Sequence, residues 1–213
     1  MKLVLASASP ARRRLLHAAG IDADIMVSAV DEESLSPQWA TPVEIALGLA
    51  EAKAADVAAR VSATARTLII GCDSVLEVPG VPQLAGRALG KPSDAADARR
   101  RWRRMGGQQG MLHTGHCLID LPTGARYSAA ATTTVTFAAL SDEEIEAYVA
   151  TGEPLAVAGA FTLDGLGGAF VRRVDGDPAN VIGLSLPLLR DLVGQAGVFW
   201  PSLWRRGCTP ALD

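Results

Sequence analysis

The chain has 213 residues, 49% apolar and 20% charged, with a formal net charge of −3. That size and composition suit one domain with a proper buried core, and no apolar run reaches the roughly 18 residues of a membrane span. The charge gives no global attraction for nucleic acid, and three scattered cysteines (Cys72, Cys117, Cys208) without a Cys-x-x-Cys pair argue against a disulfide framework or a structural zinc site.

Leu3-Val4-Leu5-Ala6 predicts a short buried strand. Ser7, Pro10 and Arg12 to Arg14 cut the apolar stretch too short for a secretion signal, so a cytoplasmic location is expected. Pro10 then starts a helix that Gly20 stops. A second strand is expected at Ala23 to Val27, and Thr41 with Glu44 forms a capping box that opens a long helix. Leu68 to Gly71 reads as a buried strand that delivers Cys72-Asp73-Ser74 at its end. A helix from about Ser93 to Met105 precedes two longer strands, Met111 to Asp120 and Tyr127 to Phe137, joined at Pro122-Thr123-Gly124. In the second of these, Thr133, Val135 and Phe137 alternate with Thr132, Thr134 and Thr136, as in a half-buried strand. Ser141 caps a helix to Ala150, a strand follows from Ala169 to Val174, and a last helix carries Leu186, Leu188, Leu189 and Leu192. Strands and helices do not alternate strictly, so a mixed α/β sheet is expected in a single domain over 1–197, with 198–213 an irregular tail.

Four groups of residues could carry chemistry. Ser7-Ala8-Ser9-Pro10-Ala11-Arg12-Arg13 joins a strand to a helix, where free amides, hydroxyls and arginines suit phosphate; equally, Ser9 is an ordinary helix cap. Asp73, read as lying just beyond an apolar strand, suits metal binding or activation of water, with a turn aspartate as the alternative. Asp31-Glu32-Glu33 offers hard oxygens for magnesium or manganese, or is a solvated acidic turn. Lys53 and Lys91 could neutralise a polyphosphate, although Gly90-Lys91-Pro92 is no Walker loop.

The basic run Arg99 to Arg104 is better read as a solvated helix face, because Ala98, Trp102 and Met105 share the opposite side. His113 and His116, three apart in a strand, point to opposite faces and make a poor metal pair. No Gly-x-Ser-x-Gly elbow or Cys–His pair suggests a covalent intermediate.

Taken together, these segments resemble the Maf family of nucleotide pyrophosphatases, named for a role in septum formation. The resemblance runs from Leu3 to about Leu192. It is carried by Leu5 to Pro10 with the paired arginines, Val30-Asp31-Glu32, Leu49 to Ala54, Ile69 to Ser74, Leu89-Gly90-Lys91-Pro92, Thr114-Gly115, Leu140 to Ile145, Gly152-Glu153-Pro154, Ala158 to Phe161 and Asn180 to Leu184. It implies a two-lobed fold like that of inosine triphosphate pyrophosphatases, with a nucleoside triphosphate in the central cleft. It also implies a divalent cation (magnesium, manganese or cobalt), a house-cleaning hydrolase of the cytoplasm and frequent dimerisation. By the same resemblance Asp73 is the catalytic acid/base and, with Glu32, a metal ligand. Ser7, Arg12, Arg13, Lys53, Ser74, Lys91, Asp164 and Asn180 are expected to bind substrate. Ala11, Ser74 and Asp164 match neither the dTTP/UTP branch nor the 7-methyl-GTP branch. Gly110 stands where the family usually has histidine, and Ser185 where it commonly has proline. The competing reading is a nucleotide-binding regulator of division that needs no turnover.

Overall fold

The computed structural model describes residues 1–62 and 65–205. Of the 198–213 tail, residues 206–213, including Cys208, lie outside the described residues; Trp200–Leu203 forms a 3-10 turn.

Six strands form one mixed sheet in the order β2-β1-β3-β4-β5-β6. They are β1 (Lys2–Leu5), β2 (Asp24–Ile25), β3 (Thr67–Glu77), β4 (Gln109–Asp120), β5 (Ala125–Phe137) and β6 (Val171–Asp175). β1 runs parallel to β2 and β3, whereas β3 to β6 pair antiparallel. Among the described residues the α-helices are α1 (Pro10–Ala18), α2 (Glu32–Leu35), α3 (Pro42–Arg60), α4 (Ala95–Met105), α5 (Asp142–Ala150), α6 (Pro178–Ile182) and α7 (Leu186–Gln195). Both expected caps form as full capping boxes, Thr41 with Glu44 and Ser141 with Glu144, each satisfying amides at a helix start.

Apolar alternation on the long strands divides the core into two lobes. At one end Leu76, Leu112 and Val135 pack with α4 and α5, around Trp102, whose indole N–H donates to the Ala160 carbonyl at 2.8 Å. At the other end α1 and α7 cover one face through Leu16, Leu189 and Leu192, and α3 covers the opposite face through Ala50, Ala54 and Val57. The basic run behaves as its periodicity indicated. Ala98, Trp102 and Met105 are buried, while Arg99 and Arg103 pair with Glu146 and Asp142 of α5.

Three boundaries differ from the sequence reading. β2 keeps only two residues, and Leu166–Phe170 is a 3-10 turn, so that β6 starts at Val171. β3 does not stop at Gly71: it continues to Glu77 because β4 pairs with it throughout, Asp73 opposite Gly115 and Ser74 opposite Thr114. Asp73 therefore sits inside the sheet and not beyond a strand end. Gly110 also has a packing reason, since a Cβ there would come within 2.8 Å of Leu76 Cδ1.

His116 ties the lobe with α7 together. Its Nε2 accepts the Ser185 N–H at 2.9 Å, so Nδ1 carries the proton and donates to the Thr114 carbonyl at 3.0 Å. A proline at 185 would have no such N–H. Burial holds the imidazole down to about 4, from an ordinary 6.5. The unfolded chain therefore takes up a proton below pH 6.5 that the folded chain refuses until about 4, and stability falls with pH across that window. This group alone is expected to make the protein about 2 kcal/mol less stable at pH 5 than at pH 7.5. Urea unfolding at both pH values, in wild type and His116→Gln, should show that difference shrinking in the variant.

Candidate active site

Successive residues of β3 point to opposite faces of the sheet, so Asp73 and Ser74 enter different surroundings. Asp73 turns toward α3. That helix lies close enough to the sheet that a Cβ on Gly71 would meet the Ala50 carbonyl oxygen at 2.3 Å, and one on Gly115 the Ala46 oxygen at 2.1 Å. Close approach lets Lys53 reach down from α3, with its Nζ 2.6 Å from Asp73 Oδ1 and 2.7 Å from Glu32 Oε1. Lys53 and Asp73 are each only 7% exposed, whereas Glu32, at the start of α2, is exposed. Burial pushes the Asp73 carboxyl above its ordinary value, against the opposing pull of Lys53 and Arg12. The result is a buried carboxylate of enhanced basicity with a cation fixed beside it.

On the other face Arg12 joins three segments. Its Nε donates to the Gly183 carbonyl (2.7 Å), its Nη1 to Ser7 Oγ (3.0 Å) and the Cys72 carbonyl (2.8 Å), and its Nη2 to Ser74 Oγ (3.0 Å). Four of the five guanidinium hydrogens are thus taken by the protein itself. Ser74 Oγ also meets Thr114 Oγ1 at 2.9 Å, and Thr114 donates to the Asn180 carbonyl. Arg12 therefore braces the peptide that precedes Asp73 against the Ser7 turn.

Ser9 caps α1, as expected, and Ser7 Oγ accepts the Ser9 N–H. Beside this turn opens a cleft of about 680 Å³ whose lining includes Ser7, Ser9, Arg13, Arg14, His17 and Ile25. A helix start, two hydroxyls and two exposed arginines suit an anionic group there.

The remaining expected residues are spread more widely. Lys91 is exposed in a turn held by Arg101, which donates to the Gly90 and Lys91 carbonyls. Asn180 is fully buried, its amide donating to the Leu112 and Ala131 carbonyls and to Thr133 Oγ1. Asp164 is exposed, and its Oδ2 lies 2.7 Å from Arg14 Nη2.

Glu153 received no role from its motif. Its carboxylate accepts from Tyr148 Oη, Thr162 Oγ1 and the Leu166 and Gly167 amides, fixing the loop that carries Asp164. A Cβ on Gly167 would lie 2.3 Å from Tyr148 Oη, so the glycine run there makes room for this cage.

His113 and His116 face opposite ways, and among the described residues no group of three or more His, Cys, Asp or Glu side chains could hold a metal. Asp73 and Glu32, brought together by Lys53, still offer hard oxygens. Magnesium-type ions commonly take one or two carboxylates and complete their shell with water and substrate phosphate. The pair fits such a substrate-completed site, not a closed protein cage.

A family profile described as Maf-like protein matches residues 2–196. The chain is also similar to proteins named nucleoside triphosphate pyrophosphatase. One from Salinispora tropica is 56% identical over 209 residues, covering 97% of this chain and 89% of the relative. One from Streptomyces coelicolor is 53% identical, covering 95% and 94%, and one from Nocardia farcinica is 50% identical, covering 95% and 96%.

Proposed function

Because the chain belongs to the Maf-like family, we propose that it hydrolyses a nucleoside triphosphate to the monophosphate and pyrophosphate, with Asp73 activating the attacking water. The observation that carries this reading is the buried, basicity-raised Asp73 paired with Lys53, one peptide from the carbonyl that Arg12 ties to the Ser7 turn. Asp73 accepts the proton of water, and Lys53 holds the carboxylate in place and lowers the local negative potential for an incoming anion. Ser7, Ser9 and Arg13 receive phosphate oxygens, and Lys91 adds charge from the other lobe. A divalent cation held by Asp73 and Glu32 would, when bound, polarise the phosphate under attack.

Asp164, an acceptor only, favours a base edge that presents N–H donors. With small Ala11 after the proline of the Ser7 turn, discrimination should stay near ~10-fold, since larger ratios need a well-matched buried polar pair. Cytoplasmic residence and pairing of two copies belong to the same proposal; cell fractionation and light scattering test them.

A panel of normal and modified nucleoside triphosphates with magnesium, manganese or cobalt, assayed for pyrophosphate release, tests the reading. Turnover of several nucleotides within about tenfold in kcat/KM is expected. Accumulation of diphosphate would overturn the assigned bond, and a thousandfold preference for dTTP would overturn the account of Asp164.

A further inference from the structure

Arg12 is one of the paired arginines of the Ser7 turn, yet its donors are engaged inside the protein. Charge for a polyphosphate tail must then come chiefly from other groups on that side of the cleft. Pro10, Arg13, Arg14 and His17 lie at i, i+3, i+4 and i+7 of α1, one face of the helix, and all four line the cleft with Ser7 and Ser9. Arg14 has so far been assigned nothing. Its side chain is 65% exposed, and among the described residues its charged partner is Asp164, 2.7 Å away and 150 residues distant in sequence.

Asp164 does not reach Arg14 on a loose loop. Glu153 clamps the segment from both sides of Asp164, through Thr162 before it and the Leu166 and Gly167 amides after it. Tyr148 Oη, also bonded to Glu153, receives the Thr162 N–H. The ion pair thus joins two fixed elements, α1 in one lobe and the 162–167 loop in the other, at the Arg14 side of the cleft.

We propose that Arg14 is a phosphate-binding residue of this site, which exchanges its pairing with Asp164 for the polyphosphate tail of the substrate. The proposal rests on the nucleotide reading above. The Arg14 end of the pair is 65% exposed, so water screens it and a long side chain must be ordered to form it, which leaves it weak enough to exchange. A polyphosphate presents more charge than one carboxylate and accepts the forked donors of Arg14 at least as well. The exchange also frees Asp164 Oδ2 to accept from a base edge. Tail binding and base recognition are then coupled through one pair of side chains.

Inorganic tripolyphosphate in metal-free buffer isolates the tail from base and chemistry, and calorimetry reads its Kd. Arg14→Gln is expected to weaken binding about tenfold, and Asp164→Asn to tighten it about threefold by removing the competitor. The double variant should bind as Arg14→Gln does, because Asp164 acts through Arg14. Both side chains are on the surface, and circular dichroism with a melting curve checks that each variant is folded. Unchanged affinity in Arg14→Gln would overturn the assignment, as would an equal gain from Asp164→Asn in both backgrounds, which would mark simple long-range repulsion. Failure of the wild type to bind tripolyphosphate would overturn it too. Nucleotide turnover by the wild type is measured separately, so loss of this assignment leaves the reaction standing, whereas absence of turnover removes the reading beneath it.

Discussion

Asp73→Asn should abolish nearly all turnover while leaving the protein folded. The change is close to isosteric and leaves Lys53 paired to Glu32, 2.7 Å away, so the buried ammonium keeps an anionic partner. It removes a buried carboxylate whose basicity the surroundings raise. Loss of a positioned general base costs on the order of a hundredfold or more, and loss of a metal ligand adds to that. The measurement is kcat/KM for pyrophosphate release by a purified variant with a wild-type circular dichroism spectrum. More than about a tenth of wild-type activity would exclude Asp73 from the chemistry.

Lys53→Met keeps the length and apolar stem of the side chain and removes its charge. At Asp73 the largest effect is burial, which raises the pKa; Lys53 is the first of the groups that lower it. Without the ammonium the carboxyl rises further and takes up a proton at higher pH. Activity that needs the deprotonated form is lost as pH falls through the Asp73 pKa, so the acid limb of the kcat/KM profile should move to higher pH in the variant. At neutral pH the expected loss is on the order of tenfold to a hundredfold, part of which is recovered as pH rises. Loss by the same factor at every pH would show that Lys53 serves substrate binding alone and does not tune Asp73.

These two residues also mark what was legible in the sequence. The capping box and apolar period place Lys53 on a helix, but nothing local marks it as a buried lysine. What buries it is the approach of α3 to Gly71, 21 residues on from Ala50, and to Gly115, 69 residues on from Ala46. Cys72-Asp73-Ser74 looked like the end of a strand because the apolar run stops there. The antiparallel pairing that carries β3 on to Glu77 is a long-range fact, and a polar step within a strand is how this sheet passes from one lobe to the other.

The three consecutive arginines illustrate the same limit. Local sequence makes Arg12, Arg13 and Arg14 equivalent donors. The helical period separates them, turning Arg12 inward and leaving Arg13 and Arg14 on the cleft side, and the Gly183 carbonyl, 171 residues on, completes the cage around Arg12. Asn180 was legible as part of a motif, whereas its burial among β4 and β5 carbonyls was not. Caps and amphipathic faces are local and were read correctly; the division of labour among like residues depends on contacts that no short window contains.

The attacked phosphorus is the most direct test of the whole account. If the wild-type enzyme turns over a nucleoside triphosphate in ¹⁸O-water, attack at the α-phosphorus places the label in the monophosphate and leaves the released pyrophosphate unlabelled. Mass spectrometry of the two products after less than one equivalent of turnover per substrate should show that pattern. Label in the pyrophosphate, or a labelled orthophosphate beside a diphosphate, would contradict it.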